Sequence, residues 1–227
     1  MEGLNGCHHI CTQNAKCLPV LAASLTFYVP LEVEVYLSGS GMILPRHRTI
    51  NLENTATNFG DAYNATVNEA FQRHSDVILC NDDVVLTPYT FGTLMEDVSA
   101  FHDGMGYMAC RSDYARGLQN VRYRHDGDSF AMKHASEECV VRVPVVAPVF
   151  AYIQKQAWVD FPPINWYSDD IQCHDISQKG YKHYISRAYV HHVGSQTCGM
   201  DYQKCVQDAK PWVLANRPEF SHWFKDS

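Results

Sequence analysis

Two acidic pairs and one histidine pair are the residues in this chain best suited to chemistry. Asn81-Asp82-Asp83 directly follows the apolar run Val77-Ile78-Leu79-Cys80. Carboxylates at the end of a buried strand are costly unless something compensates them, and a divalent cation bridging a diphosphate does so efficiently. Oxygen ligands favour Mg2+ or Mn2+, and an added imidazole shifts the choice toward Mn2+. Asn and Asp are also ordinary turn residues at a strand end. The second pair stands in Trp166-Tyr167-Ser168-Asp169-Asp170, where a helix is expected to begin. One carboxylate there can cap the helix while the other faces a pocket as a general base, although capping alone would account for both. Further on, His191-His192 closes an apolar segment, with Gly194-Ser195 beyond it. Trp158, Trp166 and Tyr167 are of the type that stacks on sugar faces, and equally of the type that fills a core.

The elements that must position these residues alternate between strand and helix signals. His9-Ile10-Cys11-Thr12 reads as a short strand and Leu18 to Tyr28 as a helix; Val33 to Leu37 alternates as a half-buried strand before the turn Ser38-Gly39-Ser40-Gly41. A strand near Thr49 to Leu52 and a helix from about Ala62 to Phe71 come next, then the continuous apolar run of Val77 to Cys80, which suits a strand covered on both faces. Thr87-Pro88 supplies a cap and first-turn proline for a helix toward Val98. In the second half, Val140 to Val149 reads as an edge or bent strand carrying two prolines. A helix runs from Ser168 to a Gly180 cap, and Tyr189 to Val193 forms a final strand. The stretch Asp201 to Phe224 is expected to pack as a closing helix over the sheet or to cover one side of the site. This order predicts right-handed βαβ units and an open α/β fold with a mostly parallel central sheet flanked by helices, all in one domain over 1–227. Ligands bind such sheets beyond the carboxyl ends of the strands, where Asn81-Asp82-Asp83 is placed.

Composition narrows the function classes. The net charge of −7 argues against binding a nucleic-acid backbone, which needs clustered Lys and Arg. Arg46-His47-Arg48 and Arg122-Tyr123-Arg124-His125 read as solvated loops. No apolar run reaches the roughly 20 residues of a membrane helix. The N-terminus lacks a basic segment followed by an apolar core, so a cytoplasmic protein without a secretory signal is expected. The nine cysteines are spread without a Cys-x-x-Cys pair and are expected to be reduced, several as small core residues. Ligands in Cys7-His8-His9-x-Cys11 alternate along a strand and would point to opposite faces, which disfavours zinc. Asn64-Ala65-Thr66 matches a glycosylation acceptor by chance, inside a helix expected to be buried.

Strand-Asn81-Asp82-Asp83, a helix-initiating acidic pair and a strand ending in His with Gly and Ser beyond resemble the inverting family 2 glycosyltransferases of the GT-A fold. Asn58-Phe59-Gly60-Asp61-Ala62-Tyr63-Asn64 is similar to that family's Asn-x-Gly-x-x-x-Asn segment, Asp169-Asp170-Ile171-Gln172-Cys173 to its acidic catalytic box, and Lys179-Gly180-Tyr181 to the helix ending that follows. The likeness covers roughly residues 8 to 200. It implies that Asp83 and His191 hold Mn2+ (or Mg2+), with His192 the fallback, and that Asp170 is the catalytic base. It further implies that Thr12, Gln13, Asn14, Asn58, Gly60, Asn81 and Asp82 line the nucleotide pocket. Trp166, Asp169 and His192 are candidates for further substrate contacts on the same resemblance. The nucleotide half would then be about 1–100 and the acceptor and catalytic half about 101–227. The chain departs from the family pattern in lacking the first-strand Pro, in carrying Ser38-Gly39-Ser40 where an Asp meets the base, in Asn81 at the first metal-motif position and in Gln172 at the second acid of the box.

The resemblance implies a nucleotide-diphosphate sugar donor (UDP, GDP or dTDP sugar), a glycan or other hydroxyl acceptor, and a single displacement that inverts the anomeric carbon. A sugar-phosphate nucleotidyltransferase would use a similar acidic site with a Gly-rich basic loop, of which Thr12-Gln13-Asn14-Ala15-Lys16 is a poor version. A non-catalytic carbohydrate-binding module is the third reading.

Overall fold

The computed structural model describes residues 7–11, 17–124, 130–132, 139–194 and 201–224, without the side chains of 7–11, 122–124, 130–132 and 202. In chain order, the first half holds β1 (Cys7–Cys11), α1 (Leu18–Tyr28), β2 (Glu34–Ser38), β3 (Thr49–Leu52), α2 (Phe59–Ala70), β4 (Asp76–Asn81), β5 (Val84–Leu86) and α3 (Thr90–Phe101). The second half holds β6 (Met105–Ser112), β7 (Arg122–Arg124), β8 (Phe130–Met132), β9 (Val141–Val143), β10 (Phe150–Gln154), α4 (Ser168–Gln178), β11 (Lys182–His192) and α5 (Tyr202–Asn216), then a 3-10 segment over Pro218–Phe224.

The main sheet has the order β3-β2-β1-β4-β10-β6-β11-β5, with β9 also pairing β11, while β7 and β8 form a separate hairpin. β1, β2, β3 and β4 are mutually parallel, and β6 and β11 run with them because β10 is antiparallel to both β4 and β6. Only β5, β9 and β10 run the other way, so the sheet is mostly parallel, as expected. All the parallel strands therefore present their carboxyl ends along one edge.

Alternation along β4 builds two cores. Ile78 and Cys80 face α1 and α3, packing with Leu21, Leu25, Leu94 and Val98. Val77 and Leu79 face α2 and α4, packing with Tyr63, Val67, Cys173 and Ile176. A strand covered on both faces reads as continuous apolar sequence, which is why β4 was visible from its residues alone.

Several local expectations are corrected. α3 begins at Thr90, not at a Thr87 cap, because the Thr87 backbone N–H donates to the Thr90 hydroxyl (2.8 Å) and that hydroxyl donates to the Tyr189 carbonyl (2.6 Å). The stretch Val140 to Val149 is not one bent strand: β9 ends before Pro144, and the paired strand β10 starts after Pro148, since proline cannot donate to a ladder. His47 is buried, with its two ring nitrogens at the Val33 and Leu25 carbonyls, so Arg46-His47-Arg48 is not a plain solvated loop. The C-terminal segment closes over α4 instead of the sheet: Ala209, Val213, Phe220 and Phe224 pack with Ile164 and Ile171. Cys80, Cys110 and Cys173 are free, buried thiols whose proton affinity is raised by burial, as small core residues should be.

Candidate functional site

The site is assembled at the carboxyl edge. β4 ends at Asn81, whose backbone N–H donates to the Val149 carbonyl (2.9 Å) and whose Oδ1 accepts from the Tyr63 hydroxyl (2.5 Å). The chain then turns through Asp82 and Asp83, both buried, into β5, which pairs with the end of β11 in the register His192↔Val84 and His191↔Val85. The Val193 N–H closes this corner on the Asp83 carbonyl (3.0 Å).

Side-chain alternation along β11 separates the two histidines. His192 Nε2 stands 3.1 Å from Asp83 Oδ1, with the side chains 12% and 7% exposed. His191 Nδ1 instead meets Asp113 Oδ2 at 2.6 Å, and its side chain is 50% exposed. Asp113 also accepts the His192 N–H (2.8 Å), so this buried carboxylate fixes the end of β11. The sequence-based pairing of Asp83 with His191 is thus not the juxtaposition formed. The fallback residue, His192, occupies the place.

The His192 ring has a defined tautomer. Its Nδ1 lies 2.5 Å from the Tyr114 carbonyl, which can only accept, so Nδ1 carries a proton. That leaves Nε2, the nitrogen facing Asp83, to bind a second proton or a cation. Burial lowers the proton affinity of His192, but the hydrogen bond and charge of Asp83 outweigh it and hold the imidazole above its ordinary range. Gly194 permits this approach: its φ is +74°, and a Cβ there would come within 2.8 Å of the Tyr114 side chain.

This pair fits a divalent cation. A histidine that donates one ring N–H to a backbone carbonyl and turns the other nitrogen toward a carboxylate has the tautomer of a metal ligand. Adjacent ligands of an octahedral ion with bonds of about 2.1 Å lie about 3 Å apart, in keeping with the observed separation. Among the described residues no group of three or more His, Cys, Asp or Glu side chains forms a metal cage.

The second acidic pair enters the same edge from α4. Arg116, in the loop after β6, donates from one guanidinium nitrogen to Asp170 Oδ1 (2.5 Å) and from the other to Asp169 Oδ2 (2.6 Å). The Asp170 N–H donates to Asp169 Oδ1 (3.1 Å). Both Asp169 oxygens are therefore engaged, whereas Asp170 Oδ2 has no partner among the described residues. Burial pushes the Asp169 carboxyl up to about 6, with Arg116 opposing and the Asp170 charge adding to the rise. Charge-assisted pairs of this kind are short and hold geometry firmly.

The remaining expected residues divide clearly. Asn58 caps α2, its Oδ1 accepting from the Asp61 N–H (2.8 Å) and its Nδ2 donating to Asp61 Oδ2 (2.7 Å). Gly60 is where α2 crosses the chain ahead of α4: a Cβ would lie 1.9 Å from the Pro162 carbonyl oxygen. Gln172 is fully buried between the Tyr107 hydroxyl (2.7 Å) and the Val159 carbonyl (2.6 Å), which accounts for a neutral amide at that position of the box. Asn64 exchanges two hydrogen bonds with the Phe161 backbone (both 2.8 Å) and is thereby engaged in packing. Asn58 and Trp166 line a cleft of about 390 Å³ with Asn165, Lys204 and Asp208. Thr12, Gln13 and Asn14 fall outside the described residues. Sequence reasoning missed Arg116, Asp113 and Tyr114. A lone Arg in a loop carries no motif, and β6, the strand that delivers all three, was not anticipated.

No protein-family model matches the chain, and no curated protein matches it in sequence. Solved structures do match its fold. GalNAc-T7 with UDP, GalNAc and Mn2+ is 13% identical at a TM-score of 0.64, over 96% of this chain and 51% of that one. S. aureus TarS 1-349 in complex with UDP-GlcNAc is 12% identical at 0.59, over 92% and 66%. Mannosyltransferase PcManGT from Pyrobaculum calidifontis in complex with GDP-Man and Mn2+ is 13% identical at 0.58, over 85% and 58%. The chain spans about half the length of the first and less than two thirds of the others. At these identities the likeness establishes the fold: a GT-A-like α/β domain with a central sheet flanked by helices.

Proposed function

From the GT-A fold and the geometry at its carboxyl edge, we propose that this chain is a metal-dependent glycosyltransferase that moves a sugar from a nucleotide-diphosphate donor to an acceptor hydroxyl, with inversion. The observation that carries the reading is the buried Asp83–His192 pair standing on the same sheet edge as the Arg116-bound carboxylates. The fold neighbours bound to UDP, UDP-GlcNAc and GDP-Man support a nucleotide-sugar donor. Asp83 and His192 would hold Mn2+ or Mg2+, with the Tyr114 carbonyl fixing the imidazole tautomer. Bound there, the cation supplies charge neutralisation to a departing nucleoside diphosphate.

The chain's own side chains supply the rest. Asp170 accepts the acceptor's proton at Oδ2, the oxygen with no partner among the described residues. Arg116 orients Asp170 through Oδ1, and Asp169 holds Arg116 in turn. One base suffices for a single displacement, unlike the paired carboxylates of a glycosidase. Asn81 and Asp82, at the same corner as Asp83, would sit near the ribose or diphosphate, and Asn58, the cap of α2, and Gly60 would line the nucleotide pocket.

The test is nucleoside-diphosphate release from a panel of UDP, GDP and dTDP sugars with Mn2+. Release from at least one donor is expected, with a loss of about 10²–10⁴-fold in Asp170→Asn and donor binding retained. Near-normal turnover by Asp170→Asn would remove Asp170 from the role of base. Pyrophosphate release from a nucleoside triphosphate and a sugar phosphate would point to nucleotidyl transfer instead.

A further inference from the structure

Among the described residues, Tyr167 alone adopts a left-handed backbone without being glycine, at φ 66° and ψ 4°. It sits at the entry to α4, two residues before Asp169, and makes no side-chain cap. The Ile171 N–H bonds its carbonyl (3.0 Å), so its backbone sets the direction in which the first turn departs. For a bulky side chain this conformation is unfavourable and persists only where its surroundings over-determine it.

Those surroundings are the C-terminal 3-10 segment. The Tyr167 ring stacks on Trp223 at 4.6 Å and 25°, and meets Phe224 edge-on at 5.7 Å. Trp223 stacks in turn on Phe220 at 4.4 Å. The segment is bolted to the middle of α4 as well. Arg217 donates to both oxygens of Asp175 (2.7 Å each), and Phe220 meets His174 edge-on at 5.0 Å. One end of this clamp grips α4 beyond the acidic pair and the other grips the residue before it.

We propose that Trp223 is a positioning residue: by holding Tyr167 in its left-handed conformation, it sets where Asp169 and Asp170 stand relative to Arg116. The catalytic consequence rests on the reading of Asp170 as the base, whereas the positioning itself does not. The ring contacts of Trp223 are to Tyr167, Phe220 and His222, on the α4 side of the site, so the effect should fall on the transfer step and not on donor binding.

The test uses the full chain with Trp223→Ala, Trp223→Phe, Tyr167→Gly and the double variant Tyr167→Gly/Trp223→Ala. Trp223→Ala is expected to lower kcat at least ten-fold with the donor KM unchanged within two-fold, and Trp223→Phe to restore most of the loss. Tyr167→Gly removes the ring, so adding Trp223→Ala to it should cost little more. Equal losses in kcat and donor affinity, or no rescue by Phe, would overturn the proposal. Carboxyl 13C signals of Asp169 and Asp170 give a readout independent of turnover. They should move in Trp223→Ala and return in Trp223→Phe, and unmoved signals in a folded Trp223→Ala protein would sink the positioning claim even if no donor is found. Should Trp223→Ala fail to fold, the same comparison is made between the native chain and the milder Trp223→Leu, which removes the stacked ring but keeps Tyr167: displaced carboxyl signals support the clamp, and unmoved ones overturn it.

Discussion

A carboxylate can act as a base only if one of its oxygens remains available, and that separates Asp170 from Asp169. Asp169 gives both oxygens to the Asp170 N–H and Arg116, while Asp170 gives one. The elevated Asp169 proton affinity has a measurable consequence. Its folded value of about 6 lies above an unfolded value of roughly 3.9, so between the two the folded state binds more protons. Its contribution to stability is therefore full in acid and is lost as pH rises from about 4 through about 6. Denaturant midpoints across that range should fall for the native chain and fall less steeply for Asp169→Asn; identical profiles would contradict the assignment. Asp82-Asp83 stood out as sequence because adjacent carboxylates after an apolar run are uncommon without compensation, and Asp169-Asp170 because it opens an expected helix. Arg116 was not, since the contact that gives it meaning joins residues 53 and 54 positions apart.

At the scale of elements, the edge works because backbones approach closely. α2 begins at an Asn58 cap and passes against the Pro162 carbonyl at Gly60, which leaves no room for a methyl group. Gly60→Ala must push α2 from the segment that leads into α4, at a cost of about 1–3 kcal/mol by overpacking, readable as a lower denaturant midpoint. An unchanged midpoint would show that the two segments are not in contact. Strands with two buried faces, such as β4, were readable from their continuous apolar residues, whereas helix caps were not: α1, α3 and α4 have no side-chain cap, and the capped α2 begins at Phe59, ahead of the expected Ala62. β10 was not. It lies antiparallel between β4 and β6, and its pairing partners are distant in sequence, so nothing local marks its direction. The choice between His191 and His192 was likewise beyond the sequence. Strand alternation says that they face opposite ways, but only the register with β5 says which faces Asp83.

At the scale of the whole fold, among the described residues, six strands running one way gather residues from four separate stretches of chain onto one edge: the β4–β5 corner, the loop after β6, the first turn of α4 and the end of β11. Two helices cover each face, and α5 with the 3-10 segment braces α4. Among the described residues no helix is long and apolar enough to cross a membrane. What such an edge would do with a nucleotide sugar depends on one electrostatic meeting point, and a cation titration reaches it directly. Mn2+ binding, followed by the loss of the free-ion paramagnetic resonance signal with a nucleoside diphosphate present, should be clear for the native chain and for His191→Ala. It should weaken at least ten-fold in Asp83→Ala and His192→Ala. Retained binding in His192→Ala with loss in His191→Ala, or equal binding by all four proteins, would contradict the account.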